Sequence, residues 1–518
     1  MSNDKDLARM PEFPESYWRE SVEIPSFESL KENIHVDVGI VGGGITGITT
    51  AYLLVKQGLK VALLDSGKLL NGTTGHTTAK ITAQHGLIYD ELIQHLGEEK
   101  ASMYYQTNSQ AIEFIKDTID EHNIDCDFTR QDAFVYTSSD KYVKKMDKEM
   151  KAYEKLGIKG ELSDSVPFGF AVKSVISMKD QAQFHPLQYL MALVNYITEN
   201  GAQIYENTTA VDVENSDHPN IITREGKRVI CDRVVAASHF PFYGGQGYYF
   251  SRMYPERSYL IAVKGEKEYP GGMYISAEEP TRSLRSASFN GEQLWLIAGE
   301  KHKTGQGEST EKHYQALQEF AEQHIGIKQF VSRWSAQDLT TLDKVPYIGP
   351  VTQDQSEVLI ATGYRKWGMT NGTAAAQMIA ALIKDGKHPY QELFLPSRFH
   401  ADPDLKKFAQ INADVSKQMV KGKLEFTSLT IDDIKEDEGN IVRVNGNRTG
   451  VYRDKDGEVH LVDTTCTHLG CEVNWNQGDR TWDCPCHGSR FKIDGEVIEG
   501  PAQTPLKKFA YKHGKDDE

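Results

Sequence analysis

Four of the chain's six cysteines sit in one short window near the C-terminus, in CTHLGC (466–471) and CPCHGS (484–489), and each motif carries a histidine. Read as ligands, the spacing is C-x-H, fifteen residues, then C-x-x-H. Thiolates and neutral imidazoles are soft and borderline donors, so the pattern suits a metal or redox centre; a Cys2His2 set also suits tetrahedral zinc. A zinc site has no use for Cys471, Cys486 or the GPA turn at 500–502. The second chemical signal is VDVGIVGGGITGITTAYLLVKQGLKVALLD. Gly42, Gly44 and Gly47 have the spacing that lets a backbone turn tightly, approach a pyrophosphate and pack a helix against a strand. Asp65, at the end of the next apolar run, lies where a carboxylate accepts ribose hydroxyls.

These residues need elements to hold them. The 518 residues exceed what one core usually serves, so two or three domains are expected. Hydrophobic content of 39% and charged content of 25% are those of a globular protein. The net charge of -16 argues against a nucleic-acid partner, which would need clustered Lys and Arg. The N-terminus MSNDKDLARMPEFPESYW has no signal-like apolar run, and no window reaches the length of a membrane span, so a cytoplasmic protein without a transmembrane segment is expected. Residues 1–30 read as a polar arm packed as an irregular extension. Residues 31–395 alternate strand-like and helical stretches, as an α/β architecture does. Residues 396–424 are polar with a weak helical pattern and read as a connector. Residues 425–515 carry short β-type runs between Gly, Asn and Asp turns, the texture of a small all-β module.

From residue 14 to about 390 the chain resembles the FAD-dependent oxidoreductases of the D-amino-acid oxidase family, which includes glycine, sarcosine and γ-glutamylputrescine oxidases. PESYWRE is similar to the amine-oxidising branch, and LLNGTTGHTTAKIT (69–82), with Thr74 and Thr77, resembles the segment that passes the flavin phosphates. LDKVPYIGPV and ATGYRKWGMTNGTAAAQMIAALI resemble the closing FAD signature, in which Gly363, Gly368, Thr370 and Gly372 lie beside the flavin. RVVAASHF departs from the family: Ala237, Ser238 and His239 stand where an Ala-Thr-Gly strand end is usual. The resemblance implies an α/β, Rossmann-like FAD-binding domain with an inserted antiparallel-sheet substrate domain roofing the flavin. Within that sheet Arg282, Arg285 and His302 are candidates for holding a substrate, each equally well explained as part of a solvated strand edge; Lys80 and His76 are candidates for tuning the flavin or carrying a covalent link to it, although most such residues are structural. His185, in QFHPLQ, reads as a packed turn histidine.

The last ninety or so residues resemble the Rieske two-iron two-sulfur domains of cytochrome bc complexes. The resemblance implies Cys466 and Cys484 on one iron, His468 and His487 on the other, and a disulfide between Cys471 and Cys486. Ser489 matches a serine that hydrogen-bonds a bridging sulfide. Phe491 replaces a tyrosine of the high-potential members, which implies a lower potential here. The combination of the two halves is similar to a Bacillus-type group of FAD-dependent oxidoreductases with a C-terminal Rieske domain.

Together the resemblances imply a dehydrogenase. FAD takes a hydride from an amine or amino-acid-like substrate, and the cluster passes electrons singly to an acceptor protein or quinone through the exposed edge of His468 or His487. Two other functions fit the same parts: a flavin and iron-sulfur redox sensor without turnover, or a flavin monooxygenase fed by the cluster.

Overall fold

The computed structural model describes residues 9–168, 170–214, 218–244, 247–307, 309–424 and 427–510. Of the polar arm at 1–30, residues 1–8 therefore lie outside the described residues, as do 425, 426 and 511–515 of the β module.

The apolar run before the glycines forms the fully buried strand Val38–Val41, as expected of a strand covered on both faces. It is the centre of a six-stranded sheet in the order Tyr347–Thr352, Gln355–Thr362, Arg233–Ala236, Val38–Val41, Val61–Leu64, Gln203–Tyr205. All neighbours run parallel except the hairpin of the first two. Helices Ile45–Lys56 and Gly368–Asp385 cover this sheet, and they cross closely: a Cβ on Gly372 would lie 2.9 Å from Thr46 Oγ1.

A nine-stranded sheet forms the second layer. Its long strands Met253–Gly265, Arg282–Phe289, Glu292–Lys303 and Ile327–Thr341 pair antiparallel. Alternation along Met253–Gly265 divides its two faces: Leu260 and Ala262 join the large core shared with the dinucleotide half, whereas Tyr259, Ile261 and Val263 join a separate core under helix Glu311–His324. The polar arm is more ordered than an irregular extension. It contains the helical turn Tyr17–Glu20, which buries Tyr17 and Trp18, and Trp18 Nε1 donates to the Thr77 carbonyl at 2.7 Å.

The all-β module consists of two four-stranded sheets, one from Glu438–Val444 to Lys508–Phe509 and one from Asn474–Asn476 to Val497–Glu499. The polar connector is the helix Ala401–Leu424. Ile411, Val415 and Met419 fall four residues apart, so they form one stripe. Val415 and Met419 pack on the core that contains the four clustered cysteines.

Candidate redox site

Two hairpin-like loops bring the Cys/His residues together. In the first, the Cys466 amide donates to the Cys471 carbonyl at 2.7 Å and the Gly470 amide to the Cys466 carbonyl at 2.9 Å. In the second, the Cys484 amide donates to the Ser489 carbonyl at 2.8 Å and the Gly488 amide to the Cys484 carbonyl at 3.1 Å. A disulfide between Cys471 and Cys486 ties the loops to each other. Cys466 and Cys484 remain free, are 2% and 1% exposed, and hydrogen-bond through their thiols. That bond holds the Cys466 thiol down to about 7 and pushes Cys484 well up, as expected of two adjacent sulfurs sharing a proton.

His468 and His487 face each other with ring centroids 4.9 Å apart at 89°. Burial depresses both, to about 4 and about 3, so both imidazoles are neutral and able to ligate. Their Nδ1 atoms are buried and without a hydrogen-bond partner. Two partnerless buried nitrogens beside two adjacent thiols are costly unless a metal centre satisfies them. This donor set fits a two-iron two-sulfur cluster. Ser489 is fully buried, with its hydroxyl accepting from the Ala502 amide at 2.9 Å and hydrogen-bonding toward Cys466, so its proton faces the sulfurs.

The dinucleotide loop is equally specific. Gly47 lies where a Cβ would sit 1.9 Å from the Gly42 carbonyl oxygen, so no other residue lets the helix start this close to the strand. Gly44 is an N-cap without a side-chain cap of its own, and Thr74 Oγ1 accepts from the Ile45 amide at 3.1 Å. An anion at this helix start would meet unpaired amides and the Thr74 hydroxyl. The Asp65 oxygens accept from the Gly43 and Gly67 amides at 2.8 Å each, and a carboxylate so placed keeps lone pairs for ribose hydroxyls. The cradle therefore fits FAD. Gly363 and Gly368 flank Tyr364, whose hydroxyl is 3.0 Å from Thr46 Oγ1, so the closing signature reaches the same helix start. Thr370 Oγ1 instead donates to the Thr82 carbonyl at 3.0 Å, and Thr77 Oγ1 accepts from the Ala79 amide at 2.9 Å.

The substrate-side candidates separate. Lys80 is buried and donates to the Tyr274 carbonyl at 2.7 Å and Ser283 Oγ at 2.6 Å; burial, aided by Arg285, lowers it to about 7. Arg285 lies beside it, with Nη1 donating to the Thr78 and Ala79 carbonyls at 2.9 and 2.6 Å and Nε to the Ser286 carbonyl at 2.8 Å. Those bonds hold the 77–80 segment in place. His302 is elsewhere: it bonds the Tyr259 hydroxyl at 3.0 Å and the Gln306 carbonyl at 2.9 Å, on the face toward the cluster module. Arg282 pairs with Glu300 at 2.6 Å. His76 Nδ1 lies 2.9 Å from the Gly72 carbonyl, and His185 caps helix Pro186–Glu199.

Sequence reasoning missed the residues that join the halves. Phe250 packs edge-on against both imidazoles, at 5.5 Å from His468 and 5.4 Å from His487. His487 is 4% exposed, so the expected open edge exists at most on His468, which is half-buried. Gln337 Nε2 donates to the Gly488 carbonyl at 3.0 Å. Arg257, fully buried, pairs with Glu499 at 2.8 Å and Asp479 at 3.6 Å across the junction, and Arg490 closes the box on Asp479, Asp483 and Glu499. Nothing local in the sequence marks these contacts, since Gln337 and Gly488 are 151 residues apart.

Residues 37–382 match the family model described as FAD dependent oxidoreductase, and residues 426–510 match the Rieske [2Fe-2S] domain. A Bacillus subtilis (strain 168) protein named for a Rieske 2Fe-2S iron-sulfur centre, YhfW, is 50% identical over 96% of this chain and 98% of its own length. Gamma-glutamylputrescine oxidoreductase of Escherichia coli (strain K12) is 24% identical over 72% of this chain and 90% of its own length. Among solved structures, glycine oxidase from Geobacillus kaustophilus aligns over 71% of this chain and all of its own, with a TM-score of 0.60 at 16% identity, a likeness of fold. The buried thiol and imidazole pairs, the dinucleotide cradle and these matches place the chain in the FAD dependent oxidoreductase family of D-amino-acid oxidase type, with FAD in its α/β half and a Rieske [2Fe-2S] cluster in its C-terminal domain.

Proposed function

We propose that the protein is a dehydrogenase that oxidises an amine or amino-acid-like substrate and passes the electrons one at a time, through the cluster, to an external acceptor protein or quinone. FAD supplies hydride acceptance, and the cluster supplies single-electron transfer. Gly42, Gly44, Gly47, Asp65 and Thr74 would hold the dinucleotide, and Gly363 and Gly368 would position the loop beside its ring. Cys466, Cys484, His468 and His487 would ligate the cluster. Lys80, held by Ser283 and the Tyr274 carbonyl, would stay partly neutral near pH 7 and could exchange a proton at Nζ beside Arg285.

The observation that carries the proposal is the bond from Gln337 Nε2 to the Gly488 carbonyl: the strand layer of the flavin half touches the residue after a cluster ligand. A cluster built against the flavin half serves a relay, whereas an enzyme giving its electrons directly to oxygen would need none. The test is anaerobic mixing of the holoprotein with a panel of amines and amino acids, followed by flavin bleaching and cluster electron paramagnetic resonance (EPR). Bleaching accompanied by a reduced Rieske signal is expected. Bleaching with a cluster that stays oxidised would refute the relay, and no bleaching with any donor would favour the redox-sensor function.

A further inference from the structure

The two imidazoles are unequal, and their inequality gives the relay a direction. His487 is buried at 4% exposure, and the next residue, Gly488, is pressed against the flavin half: its φ is +78°, and a Cβ would lie 2.5 Å from Pro255 Cβ and 2.9 Å from Gln337 Oε1. Gln337 Nε2 donates to the Gly488 carbonyl at 3.0 Å, while the Gln337 carbonyl accepts from Thr73 Oγ1 at 3.2 Å. Thr73 opens the turn Thr73–His76, which also carries Thr74, the hydroxyl on the Ile45 amide at the dinucleotide cradle. One buried glutamine thus joins the His487 loop to the cradle by two hydrogen bonds. His468 is placed differently. It is half-buried and is followed by Leu469 at 45% exposure.

We infer that electrons enter the cluster on the His487 side and leave on the His468 side, with Gln337 as the positioning residue for entry. The inference rests on the relay proposed above. A bound FAD reduced by two electrons would supply them to the cluster. With FAD and the cluster bound, each electron would reduce one ferric ion to ferrous until a one-electron acceptor of the ferricyanide or small redox-protein class removed it, and the flavin's protons would pass to solvent.

The experiment mixes fully reduced holoprotein anaerobically with excess ferricyanide and follows the flavin and cluster absorbance separately. In the wild type the cluster oxidises first and the flavin follows. Gln337→Leu keeps the size and loses the donor; it should slow the flavin phase about fivefold or more, the scale of one lost hydrogen bond, and leave the cluster phase alone. Thr73→Val, which removes the other bond, should slow the same phase should the first variant fold poorly. Leu469→Asp should slow the cluster phase with anionic ferricyanide and speed it with cationic hexaammineruthenium(III). Flavin content, iron content and EPR signal matching the wild type exclude a merely structural effect. Flavin phases unchanged in both interior variants, or a cluster phase unmoved by Leu469→Asp with either acceptor, overturn the direction assigned. A cluster-free His468→Ala protein whose flavin is oxidised as fast as the wild type overturns the relay itself, a separate failure.

Discussion

Cys471 and Cys486 lend the cluster loops a constraint that their hydrogen bonds alone do not supply. The disulfide spans 15 residues, and closing a loop of that length stabilises a fold by about 3 kcal/mol. Replacing both cysteines with serine should lower the melting temperature and reduce iron bound per chain; unchanged iron and melting temperature would mean the loops are held by packing alone. Phe491 is fully buried beside this site. Phe491→Tyr adds a donor of the kind that stabilises a reduced cluster, so the midpoint potential in an EPR-monitored titration should rise; a fall would show that the added hydroxyl faces away from the sulfurs. Lys80 offers a pH test. Its folded pKa of about 7 lies below the ~10.4 of an unfolded lysine, so between those values the unfolded chain binds the extra proton and stability rises with pH. Below about pH 7 both states are protonated and the gain is lost. Lys80→Met should remove this component, seen as a flatter dependence of unfolding free energy on pH from 7 to 10; identical slopes would refute the depressed pKa.

At the scale of elements, the strand Val38–Val41, the turn at Gly42 and the helix Ile45–Lys56 were readable because three local signals agree: an apolar run, glycine spacing and a C-terminal Gly58. Gly47→Ala places a Cβ 1.9 Å from the Gly42 carbonyl, which must push the helix off the strand. The purified variant should carry little or no FAD by absorbance, and full flavin content would refute the cradle. The helix Ala401–Leu424 was hard to read for a physical reason. Its apolar contact with the cluster core is a narrow stripe of Val415 and Met419, with buried Ile411 one turn earlier, while Asp414 turns to Lys303 at 2.8 Å and Gln306 at 2.9 Å. A narrow stripe between two bodies leaves a weak apolar period and a polar composition, which together look like a linker.

At the scale of the whole molecule, the box of Arg257, Asp479, Arg490 and Glu499 fixes how the halves sit. Arg257 is fully buried, so Arg257→Met leaves Glu499 and Asp479 short of a partner, a loss of about 3–5 kcal/mol for a broken buried pair. The expected result is a cluster domain that unfolds as a separate early transition and is cut sooner by protease; one cooperative transition at the wild-type temperature would count against the box as the lock. Among the described residues no helix is long and apolar enough to cross a membrane. The sequence by itself determined the cofactors, because cluster and dinucleotide chemistry demand particular residue types at short, fixed spacings; the pairing of Cys471 with Cys486 followed only from the Rieske resemblance, and the structure forms it. It determined the strand-rich texture of each half through alternation and turn residues. Only the tertiary structure decided that Phe250 covers both imidazoles, that His487 faces inward, that Arg285 is committed to backbone carbonyls and that Gln337 joins the two sites. Such contacts join residues far apart in the chain, and a glutamine or phenylalanine in a strand or turn looks locally the same whether it faces solvent or a redox centre.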